Sequence, residues 1–147
     1  MIHPIDVVQR FWSALYARDW DAIPTFFTDE SIYFDVPTGG MSAAQGGERI
    51  VARLRLGLEP LSDYTHHLRN VAEHDGVVFT EHQEDWHFHT GEIVQLPFVS
   101  VQHVEGEHIA LWKDYWDFAT LMNGAPAWWH ERLATADLWW VSEVPPL

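Results

Sequence analysis

Three pairs of residues, Tyr33 and Asp35, His82 and Glu84, and Trp112 and Asp114, each sit two positions apart in stretches that alternate as β-strands. Each pair therefore shares one face of its strand. If those faces line one hollow, three carboxyls and an imidazole converge there. Three buried carboxyls cannot all remain ionised without a cation, so one or more should hold a proton, giving a donor and an acceptor at the same pH. That division of roles suits concerted acid/base chemistry, with His82 bridging as an imidazolium or acting as the base. Asp114 carries most of this expectation. In EHIALWKDYWD (Glu107–Asp117) it lies between Trp112 and Trp116 on the face that also holds Ala110. Aspartate is uncommon in mid-strand, and flanking indoles remove the water that would solvate its charge, so its pKa should rise.

The bulky neighbours are expected to be walls rather than reactants. Trp86, Phe88, Leu96, Phe98, Trp112 and Trp116 form an apolar lining suited to a small apolar or aromatic substrate. Other readings stay open for two acids. Asp35 precedes Val36-Pro37 and a glycine turn, where it could cap the turn. A one-residue bulge would exchange Glu84 for Asp85 at the inner face.

The elements that must position these groups follow from periodicity. Pro4–Ala17 has Ile5, Val8, Phe11, Trp12 and Leu15 at helical spacing, with proline in the first turn. A short helix over Trp20–Phe27 is expected after Asp19 as its cap. Ser31–Val36 reads as a strand, Gly47–Leu58 as a helix with Ile50, Val51, Leu54 and Leu58 inward, and Tyr64–His74 as a strand. Asp75-Gly76, Thr90-Gly91 and Glu105-Gly106 then punctuate a meander of Val77–Phe88, Val94–His103 and the Asp114 strand. Helices followed by a curved antiparallel or mixed sheet make an α+β fold, with helices packed on a cone-shaped barrel. Residues 1–123 form the pocket-bearing domain. Residues 124–147, with two Trp-Trp pairs and a short helix at Trp128–Ala134, are expected to be a lid or dimer arm of that same domain.

Composition narrows the partners. The 147 residues carry 8 Lys+Arg against 22 Asp+Glu, a formal charge of −14, which disfavours nucleic acid and anionic membrane surfaces. There is no cysteine, so thiol catalysis and thiolate metal sites are excluded. No basic segment followed by an apolar run marks a signal peptide, and no apolar stretch has membrane-spanning length, so a cytoplasmic location is expected. Nine tryptophans point both to a pocket and to a homodimer interface.

GVVFTEHQEDW, LPFVSVQ and EHIALWKDYWDF are similar to the limonene-1,2-epoxide hydrolase family, within the SnoaL-like, nuclear-transport-factor-two-like cone fold. The resemblance runs from about Val7 to Phe118. It implies a cofactor-independent, metal-free hydrolase that adds water to an epoxide. By position it makes Asp114 the water-activating base beside Trp112, with Tyr33 helping to hold the water. Three polar positions depart from the family pattern: Asp35 stands where the family has asparagine, His82 where it has the arginine that bridges two carboxyls, and Glu84 where it has the acid aspartate. An isomerase, dehydratase, lyase or polyketide-cyclase-like enzyme of the same cone is the alternative. The second alternative is a binding domain, or a metal-dependent one using His82, His87, His89 and Glu92, whose spacing resembles a cupin motif.

Overall fold

A computed structural model describes residues 2–145. Helix α1 (Pro4–Tyr16) forms as its spacing predicts, burying Val7, Val8, Phe11, Trp12 and Leu15. Strand β1 (Ile32–Asp35), the two-residue β2 (Ala44–Gln45) and helix α2 (Gly47–Leu58) follow. Four long strands come next: β3 (Asp63–His74), β4 (Val77–His87), β5 (Ile93–Glu105) and β6 (His108–Trp116). Helices α3 (Phe118–Gly124) and α4 (Ala127–Ala134) end the ordered elements. The sheet order is β2-β1-β6-β5-β4-β3; β1 runs parallel to β6 and every other neighbour is antiparallel.

The α+β plan holds, with one correction to its geometry: the sheet is open, with β2 and β3 as its edges, and does not close into a barrel. A second correction concerns Trp20–Phe27, where only a 3-10 turn forms at Ile23–Phe26. Asp19 caps the turn just before it, accepting from the Ala22 amide at 3.1 Å, while the 3-10 turn itself has no side-chain cap and Pro24 lacks the amide hydrogen that α-helical propagation needs. Helix α3 lies almost wholly before the 124–147 arm, where the sequence reading assigns no element, and Asp117 starts it by accepting from the Thr120 amide at 2.9 Å.

Alternation aims the side chains. Along β4, Val78, Thr80, His82, Glu84 and Trp86 are buried, and Phe88 follows them inward. The register with β5 is unbroken over this stretch, so Glu84 faces in while Asp85 pairs on the outer face with His67 at 2.7 Å. Asp75 (φ 50°) and Gly76 (φ 81°) take the two left-handed positions of the tight turn that sets this register. On β6 the pairing shifts opposite His103 and Val104, and Ala110 is the extra residue. This bulge turns Ile109 into the core and leaves Trp112 and Asp114 aligned over the pocket.

The C-terminal segment closes one end of the core. Trp129 is buried and its indole N–H donates to the Gly57 carbonyl at 3.0 Å, while Trp140 is buried beside α2. Ser142 ties the tail to β2, its amide donating to the Ala43 carbonyl and its hydroxyl accepting from the Gln45 amide. Among the described residues no helix is long and apolar enough to cross a membrane.

Candidate active site

The parallel pairing of β1 with β6 brings two of the three residue pairs side by side. Tyr33 lies opposite Trp112 and Asp35 opposite Asp114, and the Tyr33 and Trp112 rings stack at 3.9 Å. β5 flanks β6 on the other side, with Ser100 opposite Asp114. Glu84 reaches the same hollow from β4. A cavity of about 50 Å³ is lined by Tyr33, Asp35, Arg53, Glu84 and Asp114 within walls of Trp12, Trp86, Leu96, Phe98, Trp112 and Trp116. That is room for a water and the small reacting part of a substrate.

Each carboxyl has its own donors. Asp114 Oδ1 accepts from the Ser100 hydroxyl at 2.5 Å and the Trp112 indole at 2.6 Å. Asp35 accepts from the Tyr33 hydroxyl at 2.9 Å, the Trp116 indole at 3.0 Å and the Arg53 guanidinium at 2.7 Å. Glu84 accepts from the Tyr16 hydroxyl at 3.0 Å. Burial, and then the charge of neighbouring Asp35, push Asp114 up to about 8. Burial, and then the charge of Asp114, hold Glu84 well above the usual carboxylate range. Burial raises the Tyr16 and Tyr33 hydroxyls too, so both stay phenols that can donate.

Three of these partners, Arg53, Tyr16 and Ser100, were not singled out in the sequence. Arg53 is the cation that the carboxyl cluster requires. Burial disfavours its charge, but Asp35, Tyr33 and Asp114 together outweigh this and keep it charged. Its signal was visible: Arg53 lies three residues after Ile50 and four before Gly57, inside the inward stripe of α2, where a charged residue needs a partner. Tyr16 continues the Trp12 face of α1 by one turn, and Ser100 is the polar inward residue two after Phe98.

His82 requires a correction. It is buried but does not line this cavity and bridges no carboxylates; its partners are His66 at 2.8 Å and Ser100 at 2.9 Å, and its ring stacks on Phe98. Burial, and then the nearby His66, hold it down to about 2, so it is a neutral ring behind Asp114 and not an imidazolium. The positive charge enters instead from the helix side, through Arg53, which pairs with Asp35. Phe88 also falls outside the cavity, packing on Trp128 and Trp129 of α4. His89 stacks on Trp128, and among the described residues no three acidic, histidine or cysteine side chains converge as metal ligands.

A second, larger hollow of about 210 Å³ adjoins the first. Arg53, Gly57, Trp86 and Trp116 line both, and Leu121, Met122, Trp129, Leu133, Leu138 and Trp140 complete the outer wall. Gly57 forms part of the neck. A Cβ there would meet Trp129 and Trp86 at 3.7 and 3.8 Å, ordinary contact distances. Gly57 lies in the last turn of α2, and because a helical glycine costs stability relative to alanine, Gly57→Ala is expected to stabilise the fold by about 0.5 kcal/mol. Gly57→Leu, by contrast, is expected to fill the neck and raise KM about tenfold or more. Thermal melts and steady-state kinetics on both variants check this.

A family model for the limonene-1,2-epoxide hydrolase catalytic domain matches residues 2–127. The chain belongs to the limonene-1,2-epoxide hydrolase family. Among solved structures, it is similar to an LEH-like epoxide hydrolase from M. tuberculosis at 26% identity and TM-score 0.69, over 82% of this chain and 90% of that one. A protein described as a SnoaL-like polyketide cyclase, from Shewanella putrefaciens, has 16% identity and TM-score 0.74 over 84% and 86% of the two chains. A Catenulispora acidiphila protein with a ketosteroid isomerase-like fold, in complex with trimethylamine, has 18% identity and TM-score 0.71 over 80% and 90%. The latter two establish the cone fold for this limonene-1,2-epoxide hydrolase family member. No curated protein matches the chain.

Proposed function

We propose that the protein adds water to a small apolar or aromatic epoxide, without a cofactor. The observation that carries this reading is the pairing of two carboxyls with separate duties across one small cavity: Asp114, held through Oδ1 by Ser100 and Trp112, and Glu84, kept protonated beside Tyr16. Ionised Asp114 takes a proton from a water. Asp35 and the Tyr33 oxygen offer acceptors for the second water hydrogen, which aims an oxygen lone pair at the substrate. The water oxygen bonds to one oxirane carbon, that carbon's bond to the ring oxygen breaks, and the released oxygen takes the Glu84 proton. A vicinal diol results. Asp114 is left protonated and Glu84 ionised, and transfer of that proton from Asp114 to Glu84 restores the starting state. An aspartate with a raised pKa is a stronger base than an ordinary one, and a glutamate held above the usual carboxylate range can keep the proton that the leaving oxygen needs.

The apolar remainder of the substrate occupies the outer hollow, with the described part of the C-terminal segment, residues 124–145, as its lid. A homodimer belongs to the same reading: Phe79, Val99 and Tyr115 leave apolar surface exposed on the outer face of the sheet. Incubation with a panel of small apolar epoxides tests the assignment. Diol formation is expected. Turnover of an enone or β-hydroxy ketone with no diol from any epoxide would assign the site to an isomerase or dehydratase instead.

A further inference from the structure

Behind Asp114 a single file of hydrogen bonds crosses four adjacent strands. Ser100 on β5 donates to Asp114 Oδ1 at 2.5 Å, His82 Nε2 on β4 lies 2.9 Å from the Ser100 hydroxyl, and His66 Nε2 on β3 lies 2.8 Å from His82 Nδ1. Ser100 and His82 are buried, whereas His66 is half-buried and stacks on Tyr16 at 4.0 Å in an open groove with Gln9 and Ser13.

Counting hydrogens fixes the direction of every link. An ionised carboxylate only accepts, so the Ser100 hydrogen is committed to Asp114. Ser100 can then only accept from His82, which requires the Nε2–H tautomer. A neutral His82 with its hydrogen on Nε2 has a lone pair on Nδ1, so His66 must donate from its own Nε2. Both rings are neutral, burial being the first cause in each: His82 is held to about 2 and His66 to about 4. All three donors therefore point at Asp114, and each polarises the next.

We infer that His66, His82 and Ser100 are positioning residues forming an aligned donor chain that stabilises the Asp114 anion and reserves its Oδ2 for the water proton. The catalytic meaning of this chain rests on Asp114 being the base; its effect on Asp114 ionisation does not. The chain opposes the other groups that face Asp114. Asp35 and Tyr33 from β1, Glu84 from β4 and Tyr16 from α1 disfavour its charge, while Arg53 from α2 and the Trp112 indole N–H from β6 join the chain in favouring it. The chain also accounts for an uncharged histidine at the position where the family resemblance expects an arginine.

The test needs no turnover, so it is independent of whether an epoxide is the substrate. In protein labelled with ¹³C at aspartate carboxyls, the Asp114 resonance is assigned by its loss in Asp114→Asn and titrated. Ser100→Ala removes a hydrogen bond to the anion and is expected to raise the midpoint by about one pH unit. His66→Phe keeps the ring stack on Tyr16 but removes the outermost donor, and is expected to raise the midpoint by a smaller amount. Ser100→Thr, which retains the hydroxyl, is expected to restore the wild-type midpoint. An unchanged Asp114 midpoint in Ser100→Ala overturns the inference, and a shift there with none in His66→Phe overturns the part of the chain beyond Ser100.

Discussion

Asp114→Asn is expected to lower kcat by about 10³-fold while leaving the protein folded, because it removes the proton acceptor aligned with both the Ser100–Trp112 clamp and the Asp35–Tyr33 pair. The wild-type pH profile supplies the matching signature. Asp114 is pushed up to about 8 by burial and by Asp35, and the base must be ionised, so kcat/KM should rise with pH through about 8. Stability runs the other way. The folded-state pKa lies above the unfolded value, so the folded state holds more protons between the two, and stability falls as pH rises through that window. Asparagine has no such charge to bury. The melting temperature of Asp114→Asn is therefore expected to gain on wild type as pH rises from about 4 to about 8 and to hold its lead beyond. Retained turnover in this variant would contradict the assignment of the base.

Arg53→Met should produce the second largest effect, and on two quantities together. Asp35 is almost fully buried and Arg53 largely so, and removing one partner of such a pair leaves the other charge uncompensated at a cost of about 3 kcal/mol. The same change removes a cation that favours ionised Asp114, so the rising limb of kcat/KM moves to higher pH and the rate at neutral pH falls by about tenfold or more. The double variant Arg53→Met/Asp35→Asn separates the two effects. With the Asp35 charge gone there is nothing left to neutralise, and both stability and the pH limb should return most of the way to wild type. A double variant no better than the single one would mean that Arg53 acts through packing, for instance against the Tyr33 and Trp140 rings at 5.9 and 5.7 Å, and not through its charge on Asp35. Denaturant melts and pH profiles on the three proteins decide between these outcomes.

How much of this could be read from the chain depended on whether a signal was local. Strand alternation placed Tyr33, Asp35, Glu84, Trp112 and Asp114 on inward faces because the two-residue period is imposed by the backbone and needs no tertiary information. Helices α1 and α2 were legible for the same reason at their longer period. The open sheet edge, the bulge at Ala110 and the α3 helix were not, since each depends on what neighbouring strands and the C-terminal segment leave to be covered. His82 shows the limit inside the site. Its inward face was correctly read, yet a sheet face is wider than a cavity, and Ser100 and Phe98 of the next strand stand between His82 and the hollow. Arg53 shows the converse. The need for a cation followed from three carboxyls on strands, but its source on a helix could be found only once α2 was docked across them.

The most direct test of the central claim is a single-turnover reaction in ¹⁸O-labelled water with enzyme in excess over a small apolar epoxide that it opens. Activation of water by Asp114 predicts one labelled oxygen in the diol from the first turnover, with none transferred to the protein. An unlabelled first-turnover diol, with the label appearing instead in a carboxyl of Asp114, Asp35 or Glu84, would show direct attack by a side chain and contradict the account.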